Sequence, residues 1–181
     1  MTLVRNLLRG VEASTLGTLA MDTELYCRYR KGGGHTPFVA WETSDGIQGW
    51  DEAPAPALVG RQFVERLTGR NVSPGHARTL NNVTHWALGL AAGAVYGLLA
   101  SVRRARLRWG LPFGAAVWAH GYVVLPRLGV YQEIWKYDRK TLAKDLSAHL
   151  VFGATTAAAF SLLPTGGERH PPVPTTRRRS S

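Results

Sequence analysis

Apolar residues come in blocks along this chain, separated by charged or Pro/Gly-rich stretches. The central block is Thr84 to Val102 (THWALGLAAGAVYGLLASV), nineteen residues without a charge. At ~1.5 Å of rise per residue, a helix of that length covers most of a bilayer core of ~30 Å. Gly89, Gly93 and Gly97 recur at every fourth position and so share one helix face. Glycines in such a stripe let a second backbone come close, a common way for membrane helices to pack. The block therefore predicts a transmembrane helix with a partner on its glycine face.

Three further blocks predict three further helices. Residues 3–26 carry Leu3, Leu7, Leu8, Val11, Leu16 and Leu19, with Gly10, Ala13, Gly17 and Ala20 as a small-residue face suited to the glycine stripe. Glu12, Asp22 and Glu24 leave a second reading for this segment, an amphipathic helix lying on the membrane surface. The helix around the central block is expected over 74–102, with Ser73 as its cap and Pro74 in its first turn. The next, over 109–125, has Gly110 and Gly114 four apart and is closed by Pro126 and Gly129. The last, over 138–163, is capped by Asp138, turns apolar at Leu146 and stops at Pro164.

Residues 27–73 read as one long loop that leaves the first helix through Gly32, Gly33 and Gly34. Leu58, Val59, Phe63, Val64 and Leu67 suggest a short amphipathic helix within it. The fold class expected is all-α: an integral membrane bundle of about four transmembrane helices over 1–163. A disordered Pro- and Arg-rich basic tail is expected over 164–181.

Charge adds a partner. The 181 residues hold 22 Lys and Arg against 12 Asp and Glu, a formal net charge of +10. The cations flank the apolar blocks, at Arg103, Arg104, Arg106 and Arg108 and again at Arg177 to Arg179. That placement suits anionic lipid headgroups better than nucleic acid. The expected location is the cell (inner or plasma) membrane, multi-pass, with the termini and the arginine turn cytoplasmic. Lys136, Arg139, Lys140 and Lys144 argue for the opposite orientation. No cleavable signal peptide is read, because Glu12 and two threonines interrupt the apolar run that one needs. The single cysteine, Cys27, excludes an internal disulfide.

Known catalytic signatures are missing. There is no Gly-x-Ser-x-Gly elbow, dinucleotide fingerprint or phosphate loop, and the chain is read as non-enzymatic. Chemistry is expected where ionisable groups share a depth. His85 and His149 lie one turn inside their helices from the same membrane face, and His120 precedes its exit on that face by six residues, ~9 Å. Asp22 and Glu24 end the first helix there too. This layer of Asp22, Glu24, His85, His120 and His149 has three readings. It is hydrogen-bonding glue between helices, a proton or ion relay, or a metal or haem site with His85, His120 and His149 as candidate ligands. No cofactor is predicted outright, because no helix carries two ligands at His-x-x-x-His or Glu-x-x-His spacing. A partner membrane protein or a second copy of the chain is the alternative use of the glycine stripes.

At Val83-Thr84-His85, at His120 with Pro126 and Gly129 behind it, and at the polar lead into His149-Leu150-Val151, the chain resembles the YagU-like family of bacterial inner-membrane proteins. The resemblance covers residues 8 to 163 in order and spacing. It implies an integral inner-membrane protein of about four spans with a link to acid stress, and it carries over no catalytic residue. The long basic tail and the heavy Gly/Ala content depart from the family's pattern.

Overall fold

The computed structural model describes residues 2–102 and 107–164, and among them every regular element is helical. α1 (Thr2–Lys31) is followed by a short α2 (Phe38–Glu42) and by α3 (Ala55–Thr68). A 3-10 turn at Pro74–His76 leads into α4 (Ala77–Val102); α5 (Gly110–Arg127) and α6 (Arg139–Leu162) complete the bundle. The all-α expectation holds.

α1 is the hub. It packs between α4 and α6, α5 packs on α6, and α3 lies along α4. Residues four apart on a helix form one ridge, and two such ridges meet in antiparallel register. Asn6 faces Ser101 (Nδ2 to Oγ 3.1 Å) and Asp22 faces His85 (3.0 Å). Between them Gly10 lies on Gly97 and Gly93, Ser14 on Gly93, and Thr18 on Gly89. The glycine stripe thus takes its partner within the chain. A Cβ on Gly10 would sit 2.8 Å from the Gly97 amide nitrogen, so the two backbones are in near contact. Gly17, expected on the same face, instead turns toward Phe152 and Thr156 of α6.

A second close seam joins α5 to α6. A Cβ on Gly110 would lie 2.8 Å from both Ala157 Cβ and the Gly153 carbonyl oxygen, and one on Gly114 would be 2.9 Å from the His149 carbonyl carbon. Tyr96 closes the space between the two seams, stacking edge-on against Phe113 (5.0 Å) and Phe160 (5.5 Å).

Several boundaries differ from expectation, each for a local reason. α1 runs on to Lys31, since Arg28, Arg30 and Lys31 are good helix formers and favourable at the negative end of the helix dipole. The expected loop 27–73 contains α2 as well as the amphipathic α3. Ser73 makes no side-chain cap; its carbonyl accepts from His76 instead. Pro126 lies inside α5 instead of ending it: it has no N–H to donate to the Tyr122 carbonyl, and the helix stops one residue later, at Arg127. Closure comes at Gly129 (φ 68°), where Val130 N–H donates to Leu125 and Gly129 N–H to Pro126. Asp138 does cap α6, accepting from the amides of Lys140 (2.9 Å) and Thr141 (3.0 Å). Arg103, Arg104 and Arg106, and the tail from 165 onward, lie outside the described residues.

One helix among the described residues, Pro74–Ser101, is long and apolar enough to cross a membrane. α1 and α6 fall short because charges lie along them, and α5 because His120, two prolines and Arg127 dilute its apolar residues.

Candidate polar site at one end of the bundle

The α1–α4 seam is polar along α1 and bare along α4. Ser14 and Thr18 are fully buried, and Asp22 is 3% exposed. Where the glycine stripe continues one turn toward the start of α4, the facing residue is His85. Its Nε2 lies 3.0 and 3.1 Å from the two Asp22 oxygens. A carboxylate only accepts, so Nε2 carries the proton and donates it. Thr18, one turn further in, has no hydrogen-bond partner for its hydroxyl.

A third group arrives from the segment read as loop. α2 folds back on the end of α1 through an aromatic cluster, with Tyr26 against Phe38 (5.1 Å) and Trp41 (5.4 Å). The phenols of Tyr26 and Tyr29 hold Thr36 just ahead of it. From the other side, Asn81 donates to Ser44 (2.7 Å) and Asn82 to the Thr43 carbonyl (2.9 Å), while Arg78 pairs with Asp45. Held this way, the last residue of α2, Glu42, brings its carboxyl beside Asp22 and His85. Burial raises the Glu42 pKa above its ordinary value, and the Asp22 charge adds to the rise, while His85 opposes it. Glu42 Oε1 is buried without a hydrogen-bond partner. A neutral carboxyl removes most of that cost.

The other expected members of the layer go elsewhere. Glu24 pairs with Arg28, which reaches across to the Lys144 carbonyl (2.6 Å) and Ser147 Oγ (2.7 Å) and ties α1 to α6. His149 lies between α6 and α5, with Nδ1 2.9 Å from the Asp145 carbonyl oxygen. His120 is on the exposed side of α5. Among the described residues, no three His, Cys, Asp or Glu side chains are arranged to hold a metal ion. The three candidate ligand histidines do not converge.

Asp22 and His85, expected at one depth, do meet; Glu42 joins them from outside the expected layer. A five-residue helix is too short to show a period, so nothing in the residues of Phe38–Glu42 marks Glu42 as buried. Chemically, the assembled site is an acid–imidazole–acid cluster that can hold, share or pass a proton. Compared with family models, curated proteins and solved structures, the chain matches none of them.

Proposed function

We propose that this chain is a multi-pass, non-enzymatic membrane protein that takes up and releases a proton at the Asp22–His85–Glu42 cluster. The observation that carries the reading is the contrast across α4. One of its faces meets a buried carboxylate, while only 17% of its membrane-length window is buried within the bundle. An apolar helix at the core of a water-soluble protein would be mostly covered. Here Leu88, Val95 and Leu99 face outward, as do Leu8 and Leu16 of α1 and Leu111 and Val123 of α5. Surface of that kind matches a hydrocarbon environment.

At ~1.5 Å per residue, α1, α5 and α6 are each close to the length needed to stand beside α4 across the core. Four crossings would put both termini on one side, which the arginine-rich turn assigns to the cytoplasm, and the proton cluster at the opposite face. An ionisable pair at membrane depth is costly to keep and is most often retained for use. The reading also accords with the resemblance to YagU-like inner-membrane proteins. The Ser14 and Thr18 hydroxyls continue the polar line inward from Asp22.

The test is reconstitution of the full chain into liposomes containing a pH-sensitive dye, with an imposed pH gradient. The wild-type protein is expected to collapse the gradient faster than empty vesicles, and Asp22→Asn to slow that collapse at least tenfold while remaining helical. Wild-type flux equal to that of empty vesicles would overturn the reading.

A further inference from the structure

A second cluster lies between α5 and α6, away from the proton cluster. After Gly129 the chain doubles back, and Tyr131 and Tyr137 stack on Tyr122 of α5 at 5.3 and 5.4 Å. Beneath this roof is a cavity of about 50 Å³, lined by Trp118, Gly121, Tyr122, Tyr131, Asp145 and His149 among others. A single water needs roughly 10–15 Å³ on this measure, so there is room for roughly three to five atoms of that size.

The lining selects by charge. Asp145 is the one carboxylate of the lining, and among the described residues no Lys or Arg pairs with it; its near neighbour is His149 Nδ1 at 3.5 Å. That Nδ1 donates to the Asp145 carbonyl oxygen; in the neutral form of the ring Nε2 is then the acceptor. The Tyr131 phenol, on the connection outside the helices, is pushed up to about 12 by burial first and by the Asp145 charge second. An anion would meet the same negative field. A neutral apolar guest would cover the partly exposed Asp145 carboxylate without offering it a charge or a hydrogen bond. A cation gains both the carboxylate and the faces of the aromatic rings.

We infer that the cavity walled by Trp118, Tyr122, Tyr131, Asp145 and His149 is a binding site for a small primary ammonium group. Asp145 supplies the charge partner, Tyr122, Tyr131 and Trp118 the ring faces, and His149 Nε2 a hydrogen-bond acceptor. The volume fits ammonium or a short alkylammonium better than a trimethylated one. The same group occurs free in solution and at the end of an ethanolamine lipid headgroup.

Calorimetric titration of the full chain in phosphatidylcholine nanodiscs with methylammonium chloride, at constant ionic strength, tests the assignment. Saturable binding is expected, weakened at least tenfold by Asp145→Asn and several-fold by Tyr131→Leu, and unaffected by Asp22→Asn. Tetramethylammonium is expected to bind more weakly than methylammonium. Repeating the titration in nanodiscs containing phosphatidylethanolamine identifies the source. Competition there supports the headgroup as occupant, and unchanged binding supports a free amine. No saturable binding to wild type, or binding retained in both folded variants, would overturn the site and leave a cavity that holds only water.

Discussion

Replacing Gly10 by alanine tests the α1–α4 seam most sharply. The added Cβ would meet the Gly93 carbonyl oxygen, the Gly97 nitrogen at 2.8 Å and the Gly93 carbonyl carbon at 3.0 Å. Comfortable contacts between such atoms lie near ~3.5–4.0 Å, so the helices must part by roughly 1 Å. All three atoms are backbone, so no rotamer change relieves the clash. Overpacking of this kind costs about 1–3 kcal/mol, and the better helix propensity of alanine returns at most ~1 kcal/mol. The expected net loss is about 1–2 kcal/mol, which at this chain length is a fall in melting temperature of about 2–8 °C. Gly121→Ala supplies the opposite case. Its Cβ would meet only Leu125 Cδ1, at 4.0 Å. There the propensity gain of up to ~1 kcal/mol stands unopposed. Thermal unfolding followed by circular dichroism in one detergent compares the two. A shift of both variants in the same direction, or a Gly10→Ala protein that melts with the wild type, would refute the close α1–α4 contact.

Other consequences follow from single contacts. Arg9 donates from Nη2 to the carbonyl oxygens of Phe160 (2.8 Å) and Leu163 (3.0 Å) at the end of α6, and stacks over the Phe160 ring. Arg9→Met should cost about 1.5–3 kcal/mol and speed amide exchange in the last turn of α6; unchanged exchange there would count against the capping role. Glu42→Gln should alter stability in a pH-dependent way. Because the folded-state pKa of Glu42 is raised, its charge opposes folding. That penalty is absent below the ordinary value of 4.5 and grows as pH rises from there through the raised one. The variant should match the wild type in acid and exceed it at neutral pH, whereas a constant difference across pH would contradict the cluster.

Much of the architecture was legible because it rests on short-range rules. The apolar block around α4, the Asp138 cap and the Gly129 closure each need only a few adjacent residues. The α1–α4 register could also be read: 6, 10, 14, 18 and 22 on one helix and 101, 97, 93, 89 and 85 on the other are both four-residue rows. Following the glycine row one step further reaches His85 and pairs it with Asp22. Choosing Ala13 and Gly17 as the facing residues hid this, since that row belongs to α6. The histidine layer failed as a unit because depth was considered without angle. On α5 the buried positions are Gly110, Phe113, Gly114 and Tyr122, a stripe that does not include His120. α6 presents His149 to α5, on the far side from α4. Glu42 depended on tertiary docking of a segment with no periodicity of its own.

Alkaline carbonate extraction followed by labelling with a lipid-soluble photoreactive carbene tests the membrane reading most directly. The protein should stay in the membrane pellet, with label on Leu88, Val95 and Leu99 of α4 and on Leu8 and Leu16 of α1. Release into the carbonate supernatant, or an α4 that escapes labelling, would contradict it.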